Sequence, residues 1–259
     1  MGSESDRGGA ERLLAIVNAG TGLVLLVAAV VAASVGASRD RLLLPAEASF
    51  GAGEGAPVRL VLAQVDLVLA IVVLLAFTAL LRFASSRPAA KGAWLDAVAR
   101  DRHGLRWIEL SQLSGVTVFL IGQLNGIAEI PALVLLYAIG AAAPLLLVLH
   151  DRRTEPGRRG LLAYSFGTAI AIVPWGVIAF AQVGGGLAGA GPSVAVRVVT
   201  IVALVLSALV WAAVWVAARR PGAAEHPAAR AEVVQLVLLA LLPLVLAALA
   251  LLLLVPAAA

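Results

Sequence analysis

Long apolar stretches alternate with short charged ones along this chain. Seven apolar runs stand out, at residues 13–35, 60–81, 107–123, 130–149, 161–183, 198–218 and 233–255. Each approaches the roughly 20 residues that an α-helix needs to cross ~30 Å of hydrocarbon. Lipid offers no water to unpaired backbone groups, so such runs close their hydrogen bonds internally, as helices. The pattern predicts an all-α membrane protein, with residues 1–259 forming a single seven-helix transmembrane domain. Hydrophobic residues make up 62% of the chain and charged residues 13%, a balance outside the range of soluble domains.

The charges between the runs predict an orientation. With seven crossings, 15 of the 19 basic residues fall on one side: in the N-terminal tail and in the segments after the second, fourth and sixth runs. Arg39, Arg41, Arg59 and Arg197 fall on the other. Basic loops stay cytoplasmic, so the N-terminus is expected inside and the C-terminus outside. The net charge of +4 thus reflects topology, and nucleic acid is not an expected partner. The first run is read as a retained helix. It is longer than a signal-peptide core, and Glu4, Asp6 and Glu11 dilute the positive start, although residues 33–37 are small enough for cleavage.

Between the runs, residues 36–59 read as a long outer loop and 82–106 as a long inner one. The stretch from Trp94 to Arg106 is a possible inward extension of the third helix. The glycine-rich residues 181–191 read as a flexible outer loop rather than a phosphate loop, because no strand precedes them and no lysine follows. No internal repeat is visible, which counts against an inverted-repeat transporter.

Few residues carry chemistry. The chain has no cysteine, and its three histidines, His103, His150 and His226, show no metal-ligand spacing. No nucleophile, base and metal set converges, so an enzyme is not expected. Glu109 matters more, because it lies inside an apolar run. An unpaired charge in the bilayer core costs roughly 2.5–3.5 kcal/mol on insertion scales. Asp66, beside Gln64, is the other carboxylate within a run. It is read as about two turns into the second helix, in a structural hydrogen bond more readily than on a proton path. Glu129 falls in a tight turn, solvated or capping. Trp94 and Trp107 read as interfacial anchors.

Arg106-Trp107-Ile108-Glu109, opening the third run, resembles the signature of the heliorhodopsins. Other segments are similar to that family: Phe166-Gly167 with Ile172-Val173-Pro174-Trp175, residues 125–133, residues 44–50, and Trp215 followed by Arg219-Arg220. The resemblance implies a rhodopsin-like bundle with a cytoplasmic N-terminus, in agreement with the arginine distribution. It also implies a homodimer and retinal held as a Schiff base on a lysine of the last helix. By the same resemblance Glu109 is the Schiff-base counterion, and Pro174, Trp175, Trp215, Ser111 and Ser114 are pocket neighbours, although tryptophans in a bundle core are more often only packing.

The departures are informative. The position of the family's lysine falls on Pro243, which should also interrupt the hydrogen bonding of the last helix. The chain's one lysine, Lys91, lies between the second and third runs. A Schiff base needs an amine, which arginine does not replace. Family histidines of the first two helices correspond to Leu25 and Arg82. Without a Schiff-base cation, Glu109 needs another partner or a proton. Arg82, closing the second helix, is the partner within reach. The alternative is that Arg82 snorkels to lipid phosphate while Glu109 stays at the interface. Hydropathy places Glu109 shallow; the resemblance places it level with Pro243.

The expected protein is a heliorhodopsin-like component of a bacterial inner membrane without covalent chromophore. It is expected to act in sensing or regulation through a cytoplasmic or membrane protein partner at its arginine-rich face. Two other readings stay open. One is a retinal, carotenoid or lipid bound non-covalently in the bundle. The other is proton or ion transport through Asp66 and Glu109.

Overall fold

The computed structural model describes residues 4–51, 57–87, 104–153, 162–219 and 225–254. Among them are eight helices and one hairpin. They are α1 (Glu4–Ala37), β1 (Leu43–Phe50), β2 (Val58–Asp66), α2 (Leu67–Ser86), α3 (Gly104–Leu124), α4 (Ile130–Arg153), α5 (Leu162–Ala171), α6 (Val173–Leu187), α7 (Val194–Arg219) and α8 (Glu225–Leu254). Every apolar run yields helix, and the fifth yields two helices in tandem. Lys91 and Trp94, with most of the proposed inward extension of the third helix, lie outside the described residues.

Six helical stretches are long and apolar enough to cross a membrane: Gly8–Ala37, Leu67–Ser86, Ile130–Leu149, Leu162–Leu187, Val194–Val216 and Ala231–Leu254. Their outward faces expose large apolar side chains such as Val24, Val30, Leu80 and Phe180. So much contiguous apolar surface is the mark of an interaction surface, not of water contact. The third run is not among the six. Its helix, α3, is instead the most enclosed, burying 13 of its 21 residues, Arg106, Glu109, Ser111, Thr117 and Gln123 included. Protein rather than lipid surrounds it, so it carries polar residues that a lipid-facing helix would not.

α3 packs tightly on α4. A Cβ added to Gly140 would lie 2.7 Å from Val118 Cγ2 and 3.2 Å from the Cα of Gly115. Glycine at 140 therefore sets how closely the two helices approach. The turn joining them needs another glycine for a different reason, because Gly126 has φ +88°. The core runs through the bundle along Leu25, Leu75, Leu113, Ile121, Leu147, Ile178, Leu239 and Leu246.

The loop expected at 36–59, and the start of the second helix at 60, are corrected. Residues 43–50 and 58–66 pair as antiparallel strands, from Leu43 opposite Asp66 to Phe50 opposite Val58, with an irregularity at Ala46/Glu47. The apolar character of 60–65 belongs to a strand, so α2 begins only at Leu67. Asp66 ends that strand and caps the helix: its Oδ1 accepts from the Leu69 N–H at 3.0 Å. Pro243 does not end the last helix, since α8 runs through it, but it interrupts the hydrogen bonding at one place, as expected. The ring removes one N–H from the helix ladder, a loss that membrane helices tolerate.

The fifth run does break. Ile172 separates α5 from α6, with Pro174 in the first turn of α6. Proline is tolerated in a first turn because its N–H would have no partner there. The same residue inside a continuous helix would remove a bond and clash with the preceding turn.

Candidate functional site

Three helices bring charged groups together at one end of the bundle. α2 contributes Arg82, one turn before its end. α3 contributes Arg106 and Glu109, three residues apart and so on one face. α8 contributes Glu232 and the carbonyl of Leu236, likewise on one face. Arg82 Nη2 lies 2.8 Å from Glu109 Oε1. The same nitrogen donates to the Leu236 carbonyl at 3.2 Å. Arg106 Nη2 pairs with Glu232 Oε2 one turn nearer the helix starts. The result is a ladder of two ion pairs, with opposite charges adjacent both along and across the helices.

Arg82 is 1% exposed and Glu109 5%. That excludes a snorkelling Arg82 and an interfacial Glu109. α1 seals this end, since a Cβ on Gly22 would lie 3.1 Å from Arg82 Cβ. Not every polar atom is satisfied. The Nε and Nη1 groups of Arg82 are buried without a hydrogen-bond acceptor, and so is Gln235 Oε1 without a donor. The Arg82–Glu109 contact itself is an ion pair lacking hydrogen-bond alignment at Oε1. Burying two charges is costly, and their attraction offsets that cost only while both are present.

The depth of Glu109 follows from its neighbours. Its partner Arg82 reaches Leu236, which precedes Pro243 by seven residues, about 10 Å along the helix. Glu109 is therefore not level with Pro243, but it is not shallow in the sense of being exposed. Pro243 is buried. Leu25, matched to a family histidine by resemblance alone, is fully buried in the apolar core.

The other expected site residues are dispersed. Asp66 and Gln64 lie at the hairpin end, with Asp66 half-buried as a helix cap and Gln64 exposed in β2. Sixteen residues of α2 separate Asp66 from Arg82, about 24 Å, so Asp66 and Glu109 do not meet. Ser111 donates to the Ala141 carbonyl at 2.7 Å and ties α3 to α4. Ser114 is half-buried on the same helix. Pro174 and Trp175 are buried at the start of α6, and Trp215 is half-buried on α7. Trp107, expected at the interface, is 2% exposed, with the Arg106 guanidinium 5.1 Å from its ring centre. An arginine over a tryptophan face is favourable, and more so away from water.

Sequence reasoning missed three features. Arg106 counts in sequence as a loop charge, although its spacing from Glu109 on a helix face was a usable signal. Glu232 stands just before an apolar run and carries no mark of its partner on α3. Trp211 also went unnoticed. It is buried, and its ring fills the space that a Cβ on Gly167 would occupy, 2.9 Å away. At the hairpin end, Glu129 accepts from the Ser49 hydroxyl and so clamps β1 to the α3–α4 turn.

The site does not suit a covalently bound retinal. No described helix contains a lysine. The carboxylate that would face a protonated Schiff base is already engaged by a guanidinium.

The Heliorhodopsin family model matches residues 14–238, which include Arg82, Arg106, Glu109 and Glu232 and stop five residues before Pro243. No curated protein matches the chain. The chain belongs to the heliorhodopsin family, whose members are rhodopsin-type membrane proteins rather than an enzyme class.

Proposed function

We propose that this heliorhodopsin-family protein works without a covalent chromophore, and that Arg82 supplies the internal cation for Glu109. The observation that carries this reading is the buried 2.8 Å contact between the two, in a chain whose one lysine stands outside every described helix. A fixed guanidinium holds its charge at all physiological pH values, whereas a Schiff base gains and loses its proton. Such a bundle is set in one charge state by its own sequence and is not switched by light through a bound retinal.

A sensory or regulatory role is part of this proposal, with family membership as its support. The arginine-rich loops are proposed to face the cytoplasm of a bacterial cell, with seven helices crossing the inner membrane, the N-terminus inside and the C-terminus outside. A protein partner would dock at that inner face, and the working unit would be a homodimer. Transport through Asp66 and Glu109 is disfavoured by the distance between them.

Purified protein mixed with all-trans retinal tests the chromophore reading. The expected outcome is no red-shifted Schiff-base band and no adduct after borohydride reduction. A retinyl group trapped within the bundle would overturn the proposal. For the orientation, a C-terminal alkaline phosphatase fusion should be active, and an inactive one beside an active cytoplasmic reporter would reject it.

A further inference from the structure

The second half of the broken fifth helix is held differently from its neighbours. α6 buries only Pro174, Trp175 and Ile178, a single stripe along one side. It begins at the break at Ile172 and ends in a glycine-rich turn, with Gly184, Gly185 and Gly186 in its last turns and Gly189 at φ +72°. At the first end Pro174 takes one N–H out of the ladder, the usual cause of a bend, while Ile172 keeps helical dihedrals and bonds to Thr168 and Gly176; at the second the glycines leave the backbone direction weakly constrained. By contrast α5 is fitted at Gly167 against the Trp211 ring and the Ala143 carbonyl, where a Cβ would lie 2.9 and 3.3 Å away.

One polar tether reaches α6 from the rest of the bundle. Gln182 Nε2 donates to Asn125 Oδ1 at 3.0 Å. Asn125 Nδ2 donates to Thr200 Oγ1 on α7 at 2.9 Å and to the Ile121 carbonyl at 2.8 Å. The Thr200 hydroxyl donates onward to the Val196 carbonyl at 2.8 Å. Asn125 and Thr200 are buried, so this relay has no water to replace a lost member. Both amide hydrogens of Asn125 and its oxygen are used. Gln182 follows Ile178 by one turn and thus extends the buried stripe of α6 with a hydrogen-bonding side chain.

We propose that α6 is a hinged half-helix, swinging about the break at Ile172 and latched against α3 and α7 by the Gln182–Asn125–Thr200 relay. Opening the latch would move α6 away from α3 and uncover Trp175 and Ile178, while α5 stays seated. This inference stands apart from the chromophore reading, since it involves the opposite end of the bundle.

The absence of native cysteine makes a direct test available. Nitroxide labels would be attached to the full-length protein at Phe180→Cys on α6 and Val134→Cys on α4, both at exposed positions. A control pair would use Phe166→Cys on α5 with the same Val134→Cys. Pulsed dipolar distances would be compared between the otherwise native sequence, Asn125→Leu and Gln182→Leu. The second variant lies at a half-buried position and serves if the first does not fold. The expected result is a second, longer Phe180–Val134 distance in the latch variants, with the Phe166–Val134 distance unchanged. Unchanged distributions for both pairs would overturn the hinge. So would equal broadening of both, which would mean general loosening of the bundle.

Discussion

The two ends of this bundle solve one problem by opposite means. Both hold polar side chains inside an apolar assembly. At the end formed by Arg82, Arg106, Glu109 and Glu232, the solution is charge against charge. At the hairpin end, Gln182, Asn125 and Thr200 pass neutral hydrogen bonds from one helix to the next. A neutral bond contributes about 0.5–1.5 kcal/mol net, whereas removing one partner of a buried ion pair costs about 3–5 kcal/mol. The charged end should therefore behave as all-or-none, and the neutral end should yield by degrees.

The largest effect belongs to the charged end. Glu109→Leu removes the carboxylate paired with the buried Arg82 guanidinium, leaving it the Leu236 carbonyl and the attraction of Glu232, and unfolding in denaturing detergent should show a loss of about 3–5 kcal/mol. A loss under about 1 kcal/mol would remove the contrast between the two ends. Next comes the α3–α4 contact that joins them. Gly140→Leu must displace Val118 and meets the backbone of Gly115, an overpacking that should cost about 1–3 kcal/mol or block folding. Full stability in that variant would mean the helices can separate freely.

At the neutral end, Asn125→Leu should cost about 1–3 kcal/mol, because it strands the Gln182 amide and removes a donor to Thr200. If it cost as much as Glu109→Leu, charge would not be what distinguishes the ends. The smallest effect is expected at Asp66→Ala, which removes one helix cap at a half-buried position, for about 1 kcal/mol. A much larger loss there would restore Asp66 as more than a cap.

The helices were legible because membrane-length apolar runs have few alternatives. The hairpin was not, since Leu60–Val61–Leu62 reads equally as the start of a helix, and only the Asp66 cap shows where α2 begins. In the fifth run a proline such as Pro174 is a sequence signal for a kink. That it would start a new helix depended on packing around Trp175. At the site, Glu109 was conspicuous because a lone carboxylate is improbable in an apolar run, and Arg82 was the basic group closing the preceding run. Arg106 and Glu232 are 126 residues apart, and only the packing of α3 on α8 makes them partners. Trp107 was misplaced because tryptophan suits both the interface and the core, and composition does not distinguish them.

The central claim is that Arg82 and Glu109 neutralise each other inside the bundle. A double-mutant cycle with Arg82→Met and Glu109→Leu, read by equilibrium unfolding of the full-length protein, measures that directly. The account predicts two strongly destabilised single variants and a double variant losing less than their sum, with a coupling of about 2 kcal/mol or more. Single effects that add to the double effect within about 0.5 kcal/mol would contradict it, and would leave the two residues as independent neighbours.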